Sequence, residues 1–171
     1  LEEGIGRERE ALASLRDLAD RIIDTSRLTA HELRAFLRSS FDAEAPEGLN
    51  VNVVSFGFKY GVPDEADLVF DVRFLPNPFF VEALRALDGR TEEIRRFLEE
   101  SPHKKTFMTH LKTLMEFLVP RYTEEGKSYL TVTLGCTGGK HRSVALAEEL
   151  RDHLDLRGIA ANVSHRDLGR E

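Results

Sequence analysis

The chain has one cysteine, Cys136, in 171 residues, and no tryptophan. A lone thiol excludes an internal disulfide and suits a reducing compartment, so a cytoplasmic location is expected. No apolar run approaches the roughly 20 residues that cross a bilayer, and the opening LEEGIGRERE is acidic and lacks the apolar centre of a signal peptide, so no membrane association is expected. Positive charge is not in excess either. Lys and Arg number 24 against 30 Asp and Glu, a formal charge of -6, and no basic tail points to nucleic acid. His31, His103, His110 and His153 lack metal-ligand spacing, and no metal site is expected. There is no internal repeat and no low-complexity segment. What remains is 41% hydrophobic and 32% charged, enough for one substantial core with an attachment. The chain opens without Met inside a helical pattern and reads as part of something longer.

Taken in order, residues 8–18 carry Ala11, Leu12, Leu15 and Leu18 on a helical face, and 21–24 read as a short strand. Thr29 and Glu32 fit a capping box opening a helix over 30–37, and 43–48 is a short linker. Residues 1–44 therefore look like the trailing end of another α/β domain, with the main domain at 45–171. Two valine-rich strands are predicted at 49–56 and 66–70, joined by a loop carrying Lys59 and Tyr60. Asp71 and Arg73 follow in a proline-held extended segment that ends at Asn77. Helices are predicted over 81–87, 91–100 and 102–119, the last stopped by Pro120, with Phe107, Leu111, Leu114, Met115 and Leu118 facing the core. A further strand spans 129–134, with Leu130, Val132 and Leu134 on one side. A helix then covers 140–157, with Val144, Ala147, Leu150 and Leu154 inward and Gly158 at its end. A last strand at 160–163 delivers Ser164, His165 and Arg166 to its C-terminal end. Strands alternating with helices predict an α/β fold with a mostly parallel sheet flanked by helices, and ligands in such folds sit at the C-terminal ends of the strands.

The chemistry concentrates in SYLTVTLGCTGGKHRS, residues 128–143. Strand, glycine turn and helix in succession aim free N–H groups and a helix dipole at one point, which makes an anion site, most simply for phosphate. Cys136, Thr137, Gly138, Gly139, Lys140, His141, Arg142 and Ser143 are the candidate residues. Cys136, Arg142 and Ser143 also satisfy the C-x5-R-S pattern of cysteine-dependent phosphatases, in which a thiolate attacks phosphorus and arginine grips the oxygens. Asp71 would then be the acid, and histidine usually precedes the cysteine where Gly135 stands. A Walker A reading fails, because Leu134 and His141 occupy the required glycine and Ser/Thr positions. Cys136 could instead fill a tight turn, Asp71 and Arg73 could be a structural ion pair, and Lys59 could be solvated. A third reading is an RNA-binding surface including Lys104, Lys105, Arg142 and Arg166.

At VSFGFKYGVPDEADLVFDVRFLPNP, YLTVTLGCTGGKHRSVALAEEL and VSHRDL the chain closely resembles the C-terminal domain of the RapZ/YvcJ family of bacterial nucleotide-binding proteins, and IIDTSRLTAHELR resembles the end of that family's N-terminal domain. The resemblance covers about 22–168. It implies a P-loop kinase-like N-terminal half that binds and hydrolyses ATP or GTP, with no nucleotide cofactor in the part present here. It further implies a C-terminal phosphosugar-sensing module, not itself an enzyme, for an amino sugar phosphate such as glucosamine-6-phosphate. Small RNA and an RNase that the full protein serves as adapter are implied partners, and the full-length protein is expected to be a homo-oligomer. The ligand residues so implied are Asp71, Arg73, Cys136, Thr137, Gly138, Gly139, His141 and Arg142, with Asn77, Lys59, His165 and Arg166 as further candidates. Phe79 stands where the enterobacterial member has histidine, and the Lys/Arg-rich tail of that member is replaced by DLGRE.

Overall fold

The computed structural model describes residues 2–29, 32–33, 36–37 and 49–170. The chain divides into two units, Leu1–Ala45 and Pro46–Glu171. In the first, helix α1 spans Glu2–Leu18, longer than the predicted 8–18, with Ile5, Leu12, Leu15 and Leu18 exposed. Residues 21–24 form no strand; a strand needs a ladder neighbour, and the sheet of the described residues is built from four segments that all lie beyond residue 49. The capping box is present: Glu32 N–H donates to Thr29 Oγ1 at 3.2 Å and Thr29 N–H to Glu32 Oε2 at 2.8 Å. The predicted helix over 30–37 lies only partly within the described residues, where 32–33 and 36–37 are helical, and the linker 43–48 lies outside them.

The second unit is built on four strands, β1 (Asn50–Gly57), β2 (Leu68–Asp71), β3 (Tyr129–Cys136) and β4 (Ala161–His165). All pair in parallel in the order β2-β3-β1-β4, which confirms the α/β fold with a parallel sheet. Register places Val132 of β3 beside Val53 of β1 and Val53 beside Val163 of β4. Between β2 and β3 lie α2 (Glu82–Arg85, one turn), α3 (Glu92–Glu99) and α4 (Pro102–Glu124), and α5 (Arg142–Leu156) joins β3 to β4. Both connections advance the same way across the sheet, so right-handed crossovers put these helices on one face. Val51, Val53, Leu130, Val132 and Leu134 are wholly buried in the core with Ile94, Leu98, Met115, Leu146 and Leu150. Each such large side chain stabilises by roughly 1.5–3 kcal/mol.

Pro120 does not stop α4, which continues to Glu124. Met108, Leu111, Met115 and Val119 are buried and Tyr122 packs on the same core, so the helical register extends across the proline. Burial of Val119 and Tyr122 offsets the missing N–H, which alone would cost about 3 kcal/mol. The buried stripe is turned by about one residue from the predicted one, leaving Leu114 exposed. Helix α5 matches its prediction, with Val144, Ala147, Leu150 and Leu154 buried and Gly158 beyond its end at φ 73°.

Candidate functional site

The C-terminal ends of β1, β2 and β3 meet at Gly57, Asp71 and Cys136, with Gly57 directly beside Cys136 in the ladder. The chain leaves Cys136, turns through 137–141 and enters α5 at Arg142. Close backbone contact requires the glycines here. A Cβ on Gly57 would lie 2.6 Å from the Gly138 carbonyl carbon, and Gly139 sits at φ 76° with its Cβ direction 2.8 Å from Gly57 N. The turn is pinned by Lys59 N–H donating to Thr137 O at 3.1 Å and Gly89 N–H to Lys140 O at 2.9 Å.

Cys136 is 3% exposed. Its sulfur lies 3.1 Å from Ser143 Oγ and accepts from Gly139 N–H at 3.3 Å. Arg142, 5% exposed, spreads its guanidinium beneath the loop: Nη1 donates to the carbonyls of Arg73 and Leu75 at 2.9 and 3.0 Å, Nη2 to Thr137 Oγ1 at 3.2 Å, and Nε is buried without a partner among the described residues. It therefore clamps the proline segment to the glycine turn. Burial pushes its pKa down, and Cys136 and Asp71 act in the opposite direction. His141, 6% exposed, has its Nε2 buried without a partner. Burial, then the charge of Lys140, holds its pKa below the ordinary histidine value, while backbone oxygens of Arg85 and Leu87 pull it up. A ring whose Nδ1–H faces those oxygens carries a lone pair on Nε2. Lys140 Nζ donates to Arg85 O at 3.2 Å. The N–H groups of Gly138, Lys140 and His141 have no acceptor among the described residues.

A cleft of about 390 Å³ opens at this loop, lined by Cys136, Thr137, Gly138, Lys140, His141 and Arg142, and on other sides by Lys59, Asn77, Tyr60, Phe79, Phe80 and Arg170. Lys59 and Asn77 thus join the glycine loop. Asp71 and Arg73 do not line the cleft; they form an ion pair with Nη2 to Oδ2 at 2.6 Å, and Arg73 lies over the Phe58 ring at 4.1 Å. Asp71 is held below the usual carboxylate range by its hydrogen bonds from Arg73. His165 and Arg166 also lie apart from the cleft. His165 is bonded through Nδ1 to Ser55 Oγ at 2.9 Å and through Nε2 to Glu148 at 3.0 Å. Arg166 donates to Gly61 O at 2.7 Å and pairs with Asp167.

Sequence reasoning named Tyr60 and Phe79 without giving either a ligand role, and it passed over Phe80, Arg170 and Asp167. Asp167 is 1% exposed and accepts from Gly57 N–H at 2.8 Å while pairing with Arg166 and Arg170. This carboxylate ties the chain's last turn to β1. Its pKa is depressed: desolvation raises it, but bonds from Arg166 and Gly57 outweigh that. Phe79 and Phe80 stood out as two adjacent aromatics after a proline loop, and Asp167 lies in the VSHRDL segment, but the bonds of Asp167 to Gly57 and of Arg170 to Tyr60 span about 110 residues and leave no local pattern.

Three of the four residues named for the alternative RNA-binding surface are engaged within the fold. Lys104 is buried between Glu99 and Glu149, Arg142 is buried, and Arg166 is paired with Asp167. No cluster of three or more His, Cys, Asp or Glu side chains could hold a metal among the described residues, and no described helix is long and apolar enough to cross a membrane.

Comparison with known proteins follows this geometry. Residues 49–169 match the family model described as the RapZ C-terminal domain. The chain is 47% identical over 171 residues to a nucleotide-binding protein of Desulforapulum autotrophicum, covering 99% of this chain and 58% of that protein. A nucleotide-binding protein of Geobacter metallireducens is 50% identical over 167 residues, covering 97% and 59%, and one of Myxococcus xanthus 46% over 169, covering 99% and 59%. The chain spans about three-fifths of the length of these curated relatives. A match over 49–169, which holds the glycine loop and all but Arg170 of the cleft lining, shows that the chain belongs to the RapZ C-terminal domain family.

Proposed function

We propose that this chain is a sensor domain that binds a phosphorylated small metabolite in the cleft at the glycine loop. The observation that carries the reading is the set of unengaged N–H groups of Gly138, Lys140 and His141 at the start of α5, beside the Lys140 ammonium. Free backbone N–H groups ahead of a helix N-terminus, beside a lysine, are suited to phosphate oxygens. In this mechanism the amides hold the phosphate, Lys140 adds charge, and Arg142 acts as the clamp that keeps the loop in shape. His141 Nε2 accepts from a ligand hydroxyl, or takes up a proton and donates to phosphate. Glucosamine-6-phosphate is the reference ligand from the family resemblance; engaging its amine with Asp71 would require that carboxylate to leave Arg73.

In the longer proteins of the family, we assign ATP or GTP binding and hydrolysis to the part outside this chain, in keeping with relatives named nucleotide-binding proteins. Ligand occupancy would then bias the fit of that part, or of an RNA or RNase partner served by the full-length homo-oligomer, as a coupling between sites. The phosphatase reading has less support, because the guanidinium needed to grip phosphate is engaged by backbone carbonyls.

The test is calorimetric titration of the chain with glucosamine-6-phosphate, glucosamine and inorganic phosphate. Saturable binding that needs the phosphate and weakens about fivefold or more in Lys140→Gln is expected. Binding of glucosamine alone, or no binding by any phosphate, would overturn the reading.

A further inference from the structure

The charges that surround the cleft say more about its ligand than the loop does. Four cationic side chains line it, Lys59, Lys140, Arg142 and Arg170, and no carboxylate does. The nearest acids are committed: Asp71 to Arg73, and Asp167 to two arginines at once, Arg166 and Arg170, so positive charge remains in excess. An ammonium group placed here would meet cations and a neutral imidazole, with no acid to pair with.

The cations fall into two groups. Lys140 and Arg142 belong to the glycine loop, where they reach the carbonyls of Arg85 and of Arg73 and Leu75. Lys59 and Arg170 flank Tyr60 instead, with Nζ 5.2 Å and Cζ 5.7 Å from its ring centroid, and the Tyr60 hydroxyl donates to Arg170 O at 3.2 Å. Within this group Arg170 lies 3.1 Å from Asp167, which it shares with Arg166, so one of the two arginine charges stays unbalanced, and Lys59 forms no ion pair among the described residues.

The cleft also carries an aromatic ledge. Phe79 and Phe80 lie with ring centroids 6.0 Å apart, 50% and 80% exposed. Asn77 Oδ1 accepts from Phe79 N–H at 3.3 Å, and Arg85 donates to Phe79 O at 3.1 Å with its guanidinium 5.0 Å from the Phe79 ring, so the ledge is held in place while Phe80 contributes little to the core. An exposed aromatic beside cations suits a flat or apolar ring attached to phosphate.

We infer that the cleft takes an organic diphosphate, with one phosphoryl group on the α5 amides and Lys140, the other between Lys59 and Arg170, and the attached ring on Phe79 and Phe80. This rests on the phosphate-site reading above and narrows it, from a sugar monophosphate to a ligand with two phosphoryl groups and no ammonium.

The experiment is calorimetric titration of the full chain with inorganic phosphate, pyrophosphate, glucosamine-6-phosphate, fructose-1,6-bisphosphate and uridine diphosphate. Wild type is compared with Lys59→Gln, Arg170→Gln and Phe80→Ala, each checked for an unchanged melting temperature. Pyrophosphate is expected to bind at least tenfold more tightly than phosphate. Either charge variant should abolish most of that advantage while leaving phosphate within twofold. Uridine diphosphate should exceed pyrophosphate severalfold, with that increment lost in Phe80→Ala and absent from the bisphosphate, whose saturated ring is not flat. Glucosamine-6-phosphate binding as tightly as the diphosphates would overturn the inference, as would a pyrophosphate advantage that survives both charge variants, or a uridine diphosphate no better than pyrophosphate. Those results leave the phosphate site standing; failure of inorganic phosphate and every phosphorylated probe removes both.

Discussion

At the floor of the cleft the glycine loop is packed backbone to backbone: Gly57 against Gly138, Gly89 against His141, and Arg142 spanning three acceptors beneath. At the rim, the Phe80 ring meets the Phe79 ring edge-on, while Lys59 and Arg170 lie by the Tyr60 ring and Arg170 also pairs with Asp167. The floor therefore holds shape, and on the proposed reading the rim chooses the ligand. Substitutions at the floor should be read as stability, those at the rim as affinity.

The sharpest way to break this division is Gly89→Ala. The added Cβ would lie 2.2 Å from His141 O and 2.5 Å from Ala145 N, both backbone atoms that cannot move aside. Urea unfolding should show a loss of at least about 3 kcal/mol, at or beyond the usual upper end for overpacking. A variant of wild-type stability would mean that the loop is loosely held. Next is Arg142→Ala, which leaves two carbonyls without a charged donor and should cost about 3 kcal/mol, with phosphate binding lost as the turn relaxes. Lys140→Gln should weaken binding with stability within about 0.5 kcal/mol of wild type.

Asp167→Asn should cost about 2 kcal/mol at pH 7, since the buried carboxylate holds two arginines and an amide. Its folded pKa is depressed, so the stabilisation is fully present above the unfolded value near 3.8 and disappears as pH falls through the lower folded value. Wild-type and variant unfolding curves should accordingly converge in acid. His141 has linkage of the same sign in a higher pH window. Its folded pKa is lowered, so the unfolded chain binds more protons near pH 6.5 and stability falls as pH drops through that range. Melting of wild type at pH 7.5 and 5.5 should show this loss, smaller in His141→Gln and smaller when inorganic phosphate is bound. The smallest effect belongs to Phe80→Ala, which should alter stability by no more than about 0.5 kcal/mol, because the ring is mostly in water.

The glycine loop was legible because its chemistry is local: strand, turn, cations and helix follow one another within sixteen residues, 128–143. The direction of Arg142 was not. Its acceptors are carbonyls nearly 70 residues earlier, and a sequence shows no carbonyl's position. Asp71 and Arg73 read equally well as ligand groups or as an ion pair until the turn brought them into mutual contact at 2.6 Å. Pro120 misled for a related reason: a local rule against helical proline was overridden by burial of Val119 and Tyr122 against a distant sheet. The strand expected at 21–24 likewise depended on a neighbour that periodicity cannot supply.

What the sequence determined by itself was the alternation of strands and helices, the parallel sheet that follows from it, and the succession of strand, glycine turn and helix around residues 135–143, since each arises from side-chain periodicity or from contiguous backbone geometry. Tertiary structure alone decided which cations face one another across the cleft, that Arg142 serves as a clamp, and that Phe79, Phe80, Tyr60 and Arg170 share its walls. Those relations depend on the strand order β2-β3-β1-β4 and on bonds such as Asp167 to Gly57, which join residues 110 apart and leave no local pattern in the chain.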